Sequence, residues 1–224
     1  LRGSGTARDT HRYLTTITAG HSKSGAHEFF RSPDLDTRPA RRPYNECMSI
    51  LGLDIGGANL KGAHSGGTAR SMPFALWKHP ERLTTALAAL SAVFPSWDAL
   101  AITMTGELCD CFATRREGVQ AILRSVQRFA GSTPIHVWTR EGRFIDPEPA
   151  HADPLGVAAV NWLALAHCVA REFIHERVIL IDTGSTTTDL VYLDRGTPAP
   201  RAFTDVERLL TGKLVYTGIR PTPL

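Results

Sequence analysis

The stretch Leu51-Gly52-Leu53-Asp54-Ile55-Gly56-Gly57-Ala58-Asn59-Leu60-Lys61 decides the reading of this chain, because a distant stretch repeats its plan. The second copy is Val178-Ile179-Leu180-Ile181-Asp182-Thr183-Gly184-Ser185-Thr186-Thr187-Thr188-Asp189. In each, a short apolar run carries an aspartate to its end, a turn of small residues follows, and an extended run leads away. Short apolar runs bounded by turn residues read as buried strands. Glycine lets backbone N–H groups approach an anion closely and reach positive φ. Gly56, Gly57 and Gly184 therefore suit a phosphate cradle, and Ser185, Thr186, Thr187 and Thr188 add hydroxyl donors that a turn alone does not need. Asp54 and Asp182 repel a phosphate, so their presence points to a bridging Mg²⁺, held directly or through water, or to a nucleophile they orient. Lys61 supplies a point positive charge. The plainer alternative is a pair of β-hairpins whose turns contain glycine.

Working outward from the first copy, Ser49–Ile55, Asn59–His64 and Ala69–Phe74 read as three hairpin-linked strands. Helical spacing follows over Pro80–Phe94, through Leu83, Leu87, Leu90 and Phe94, and over Glu117–Phe129. Ala99–Met104 and Ile135–Trp138 read as strands between and after these helices. Asp153–Phe173 reads as a long apolar helix with Asp153 as N-cap and Pro154 in its first turn. The strands Arg177–Asp182 and Asp189–Leu193, a short helix Asp205–Leu210 and a strand Leu214–Tyr216 complete the order. This β-β-β-α-β-α-β-α-β-β-α-β sequence predicts an α/β fold, one mixed sheet flanked by helices.

Composition bounds the rest. The chain has 224 residues, 42% hydrophobic and 21% charged, which fits a globular protein. No apolar run approaches the roughly 18 residues of a membrane-spanning helix, and no membrane association is expected. Residues 1–47 hold 8 Lys/Arg and 5 Asp/Glu, and the remainder holds 17 of each, so the net charge of +3 belongs to the leader. Residues 48–224 carry no basic footprint for nucleic acid. The leader is polar, lacks an apolar signal core and buries too little to order itself, so 1–47 reads as a disordered extension and Met48 as the natural start. A basic docking arm is the alternative. The four cysteines do not form a disulfide framework, and the expected compartment is the cytoplasm.

Three strings carry a family resemblance: Thr103-Met104-Thr105-Gly106-Glu107-Leu108-Cys109-Asp110-Cys111-Phe112, the Asp182–Asp189 loop, and Lys213-Leu214-Val215-Tyr216-Thr217-Gly218. From about Met48 onward the chain resembles the hydantoinase A/oxoprolinase family, within the superfamily of acetate and sugar kinases, Hsp70 and actin. Within it, the chain is similar to a branch named for the tetrahydromethanopterin-linked one-carbon transfer pathway. The resemblance implies a ribonuclease-H-like, actin-like ATPase fold with a five-stranded mixed sheet. It also implies methanofuran biosynthesis, in which a relative joins an aminomethylfuran diphosphate to the phenol of tyramine-glutamate and releases diphosphate. Better-known members use ATP to open a cyclic amide. The superfamily's third glycine motif is not found before Leu224, which weighs against ATP. It also suggests one lobe of a two-lobed enzyme, C-terminally incomplete, prone to self-association or serving only in assembly.

The expected site then has Asp54, Asp182, Glu107 and Asp189 in chemical roles. Gly56, Gly57, Lys61, Gly184, Ser185, Thr186 and Thr187 would hold a phosphorylated small molecule, with Mg²⁺ on Asp54 and Asp182. Glu107, following the strand Ala99–Met104, is either a general base or metal ligand, or an ordinary helix-entry carboxylate. Cys109-Asp110-Cys111 is too close-spaced to close a zinc site alone. Arg115 and Arg116 suit either phosphate or a solvated helix start. Asn161 and Trp162 read either as cleft-lining residues or, respectively, as a partner for a backbone group and a core residue, and His167 reads as a core or helix-face histidine. There is no Gly-x-Ser-x-Gly elbow and no Walker lysine.

Overall fold

The computed structural model describes residues 48–184 and 187–216, and the backbone of residues 17 and 18. The expectations for the rest of the leader, for Ser185 and Thr186, and for Thr217 and Gly218 lie outside the described residues. Ile17–Thr18 forms a two-residue strand, β1.

Strands β2 (Ile50–Ile55), β3 (Asn59–His64) and β4 (Ala69–Pro73) are joined as successive antiparallel hairpins. On its other side β2 pairs in parallel with β5 (Ala99–Met104), which pairs in parallel with β6 (Ile135–Trp138). The order β4-β3-β2-β5-β6, with β3 running against the rest, is the five-stranded ribonuclease-H-like arrangement. A short strand β7 (Phe144–Ile145) adds to β6.

The pleat sorts the residues of β2. Leu51, Leu53 and Ile55 face the helices and are buried, while Gly52 and Asp54 face the other way. Helices α1 (Leu83–Ser91) and α2 (Arg115–Ala130) cover the buried face through Leu87, Leu90, Val119, Ile122 and Val126. Each leucine-sized side chain so buried contributes roughly 1.5–3 kcal/mol. Helix α2 starts two residues earlier than its apolar spacing predicts, because the Thr114 hydroxyl accepts a hydrogen bond from the Glu117 amide at 3.1 Å.

The single mixed sheet expected from the sequence is divided in two. Strands β8 (Arg177–Thr183) and β9 (Thr187–Asp194) form an antiparallel pair of their own. Strands β10 (Thr197–Pro198) and β11 (Leu214–Tyr216) flank β9, and β1 flanks β8. Strand β7 takes the edge of β6, so the later strands do not extend the first sheet on that side.

The long helix predicted over Asp153–Phe173 is also corrected. A short helix α3 (Pro147–Ala152) and a 3-10 turn at Pro154–Gly156 come first. Residues 157–160 then run as a buried connection, with Ala159 in the left-handed region at φ 50°. Only Asn161–Ala170 is helical, as α4, and Asp153 makes no side-chain cap. An unbroken apolar run reads alike as buried helix or buried connection, since neither leaves a polar face. Helix α4 seals the second sheet by packing Trp162, Leu163, Ala166 and Ala170 against Val178, Leu180, Val191 and Leu193. Helix α5 (Asp205–Leu210) opens with a Thr204/Glu207 capping box.

Gly118 illustrates how tightly the turn after β5 is held. A Cβ there would lie 2.8–2.9 Å from the Cα, Cβ and backbone oxygen of Glu107. Gly118→Ala is therefore expected to destabilise the protein by about 1–3 kcal/mol through overpacking. Chemical denaturation checks this. An increase in stability, the ordinary result of Gly→Ala in a helix, would contradict the close packing.

Candidate functional site

The two glycine turns are closed by the same bond. The Gly56 amide donates to the Asn59 carbonyl at 3.1 Å, and the Gly184 amide donates to the Thr187 carbonyl at 2.8 Å. A Cβ on Gly56 would meet the Asn59 oxygen at 2.8 Å, and one on Gly57 would meet the Cys109 sulfur at 2.7 Å. Glycine at both positions keeps the first turn tight and its backbone bare. The register is also shared: Asp54 stands opposite Lys61, and Asp182 opposite Asp189.

The structure brings the two turns into one electrostatic neighbourhood. Lys61 Nζ lies 3.0 Å from Asp54 Oδ2, while the buried Asp54 Oδ1 has no hydrogen-bond partner among the described residues. The Asp182 carboxyl is pushed above the usual range, first by burial; the Lys61 charge opposes this and the Asp54 charge adds to it. Asp182 thus feels both members of the first turn's ion pair across more than a hundred residues of chain.

Asp189 is held from behind by Arg208, a residue that the sequence reading did not single out. Arg208 is only 2% exposed. Its Nη2 lies 2.6 Å from Asp189 Oδ1 and donates to the Lys213 carbonyl at 3.4 Å. Its guanidinium stacks 3.8 Å from the centre of the Trp162 ring. Burial raises the Asp189 pKa, the Arg208 charge and hydrogen bond lower it, and Asp182 and Asp205 raise it again. The only sequence signal for Arg208 was indirect: an aspartate and a tryptophan in otherwise apolar runs each have use for a cation.

Glu107 and Arg115 form a neighbouring centre. Glu107 is 2% exposed on the 3-10 turn Gly106–Leu108, and both its carboxyl oxygens lack partners among the described residues. It is therefore no ordinary solvated helix-entry carboxylate. Burial pushes its pKa up to about 7, while nearby backbone amides of Glu107 and Ala159 and the Arg115 charge lower it and the Asp205 charge raises it. Arg115, whose side chain is 39% exposed, pairs with Asp205 and so ties the start of α2 to the start of α5. Because the folded state holds the Glu107 proton more tightly than the unfolded chain, its contribution to stability is full below about pH 4.5 and is lost as pH rises to about 7. Glu107→Gln is expected to remove that slope and to raise the denaturation midpoint at pH 8; an unchanged pH dependence would contradict it.

The remaining candidates fall into structural roles. Cys109 is half-buried and Cys111 exposed, and no cluster of three or more metal-ligating side chains occurs among the described residues. Burial, then Cys111, pushes the Cys109 thiol up to about 11. Asn161 Oδ1 accepts from the Trp162 amide at 2.8 Å, and Trp162 Nε1 donates to the Ala159 carbonyl at 3.0 Å. The His167 ring packs edge-on to Trp138 with centroids 5.3 Å apart.

A five-stranded ribonuclease-H-like sheet, with an acid-tipped hairpin turn at the end of its central strand, defines the class: an α/β protein of the actin-like ATPase type of fold. The hydantoinase/oxoprolinase family profile matches residues 98–219, and the chain belongs to that family. It is 39% identical over 181 residues to a Methanocaldococcus jannaschii protein, the "(4-{4-[2-(gamma-L-glutamylamino)ethyl]phenoxymethyl}furan-2-yl)methanamine synthase"; the match covers 79% of this chain and 53% of that one. A synthase of the same name from Methanococcus vannielii is 42% identical over 57 residues, covering 24% of this chain and 25% of the relative. The chain thus spans about half the length of the first relative and less of the second. Among solved structures, the type II variant of the Aquifex aeolicus Ppx/GppA phosphatase is similar with TM-score 0.44 and 14% identity, over 69% of this chain and 51% of that one.

Proposed function

We propose that this chain binds a phosphorylated substrate with Mg²⁺ between its two acid-tipped turns. It would supply that site to an enzyme of methanofuran synthesis that joins an aminomethylfuran diphosphate to a tyramine-type phenol. The observation that carries the reading is the shared field at Asp182, which includes both Asp54 and Lys61. The M. jannaschii relative's name describes a phenoxymethyl-furan ether. Making that bond joins the phenol oxygen to the furan methylene carbon. The bond from that carbon to the diphosphate oxygen breaks, and the phenolic proton leaves to a base.

The residues fit a divalent cation. Asp54 Oδ1 lacks a partner among the described residues, and Asp182 is a partly buried acid beside a like charge, a repulsion that a dication relieves. Mg²⁺ typically takes one or two carboxylates and fills its octahedron with water and phosphate oxygens. Bound there, the ion would neutralise charge developing on the departing diphosphate. The backbone of Gly56, Gly57 and Gly184 would approach the phosphate oxygens, and Lys61 would be the counter-charge. By sequence, Ser185, Thr186 and Thr187 would add hydroxyl donors. Arg208 would fix Asp189 and, through the β8–β9 register, the second turn. Glu107 carries no step in this reading, since its carboxyl is covered and its charged neighbours are Arg115 and Asp205.

Calorimetry tests the reading. Mg-diphosphate is expected to bind the chain more tightly than Mg-ATP. Tight binding and hydrolysis of ATP would instead support an ATP-dependent amidohydrolase.

A further inference from the structure

Gly56 sits between two polar residues at the end of the first sheet. The pair Ile55–Leu60 carries the β2–β3 register on to Gly56 and Asn59, and the Gly56 amide donates to the Asn59 carbonyl at 3.1 Å. On the other side, the pair Ile55–Met104 carries the β2–β5 register on to Gly56 and Thr105, and the Thr105 amide donates to the Ile55 carbonyl at 3.0 Å. Leu60 and Met104 are buried in the core beneath α1 and α2, so the pleat turns Asn59 and Thr105 to the opposite face, which carries Asp54 and Lys61. Thr105 Oγ1 lies 3.7 Å from the position a Gly56 Cβ would take. Asn59, Gly56 and Thr105 thus form a row across three strands, one step beyond the row Lys61, Asp54 and Thr103. With glycine at its centre, the row is a notch with a polar side chain on each side.

The notch presents donors. The Gly57 and Ala58 carbonyls are taken by the Leu76 and Phe74 amides at 2.9 and 3.0 Å, whereas the Gly57 and Ala58 amides donate to nothing among the described residues. A turn whose acceptors are covered and whose donors are open suits an anion and not a cation. The side chains agree with it. Neither the Asn59 amide group nor the Thr105 hydroxyl makes a hydrogen bond among the described residues, and both residues are half-buried, open to solvent on this face. Thr103, two residues earlier on β5, differs in that its Oγ1 is fully buried. Ligands of sheets with parallel strands lie beyond the carboxyl ends of those strands, and the parallel pair β2 and β5 ends here. Lys61 supplies a point charge, which attracts an anion without orienting it.

We propose that Asn59 and Thr105 clamp one phosphoryl group of the diphosphate between them. The group sits over Gly56, where Asn59 Nδ2 donates to one of its oxygens and Thr105 Oγ1 donates to another. The clamp rests on the phosphate reading above and deepens it: two neutral side chains fix where the anion lies, beside the carboxylate and lysine that set the local charge.

The test is calorimetric titration of the intact chain with Mg-diphosphate, on the parent and four variants. Thr105→Val and Asn59→Ala are each expected to weaken binding about tenfold, the scale of one hydrogen bond to a charged group. Thr105→Ser, which keeps the hydroxyl, should bind as the parent does. So should Thr103→Val, whose lost hydroxyl is buried. Thr105→Val and Asn59→Ala should also melt with the parent, because neither side chain holds a hydrogen bond among the described residues; melting well below it would show a structural role and overturn the clamp. Undiminished binding in Thr105→Val or Asn59→Ala would overturn it too, as would a loss shared by Thr105→Ser or equalled by Thr103→Val. In each of those cases the parent still binds Mg-diphosphate and the phosphate reading stands. A parent that does not bind Mg-diphosphate would overturn the phosphate reading and the clamp with it.

Discussion

On the function proposed above, Asp182→Asn is expected to lower turnover in the ether-forming reaction by about 10²–10³-fold, the scale of losing one preorganised electrostatic group. The substitution keeps the size and removes the charge, so the loss reports the carboxylate itself. Stability should move the other way. Burial and the nearby Asp54 charge raise the Asp182 pKa in the folded protein. Its ionisation therefore opposes folding as pH rises through the carboxylate range, and a neutral asparagine escapes that penalty. A more stable and much less active variant is the signature of a residue kept for chemistry. Steady-state kinetics and chemical denaturation on the same preparation measure both. Unchanged turnover would instead favour a lobe that serves only in assembly.

The second large effect belongs to Arg208→Ala, which is expected to destabilise the protein by about 3–5 kcal/mol. Removing the guanidinium leaves the partly buried Asp189 without its 2.6 Å partner and strips the cation from the face of Trp162. Replacing the pair together, as Arg208→Met with Asp189→Leu, should cost far less, because no unpaired charge remains. Denaturation midpoints of the two variants decide the matter. Equal losses in both would mean that the arginine acts through packing alone.

What the sequence disclosed was local. The apolar alternation of β2, the apolar spacing of α1 and α2, and the two aspartate-tipped turns depend on neighbours a few residues apart, and the structure has them in place. What it hid was set at long range. The two-residue strand at Phe144–Ile145, which takes the edge of β6, is too short for any periodicity. The Arg115–Asp205 pair joins residues that nothing nearby in the chain connects. Arg208 looks like one polar residue of a short surface helix until β9 and α4 close over it. The Val157–Val160 connection is buried on all sides, so its apolar run carries no phase to distinguish it from α4.

The convergence of the two turns on one anion is tested most directly by a crystal structure of the chain with Mg²⁺ and diphosphate. The account predicts diphosphate lying against the backbone of both Gly56–Gly57 and Gly184, with the cation beside Asp54 and Asp182. Diphosphate held by one turn alone, or bound away from both, would contradict it.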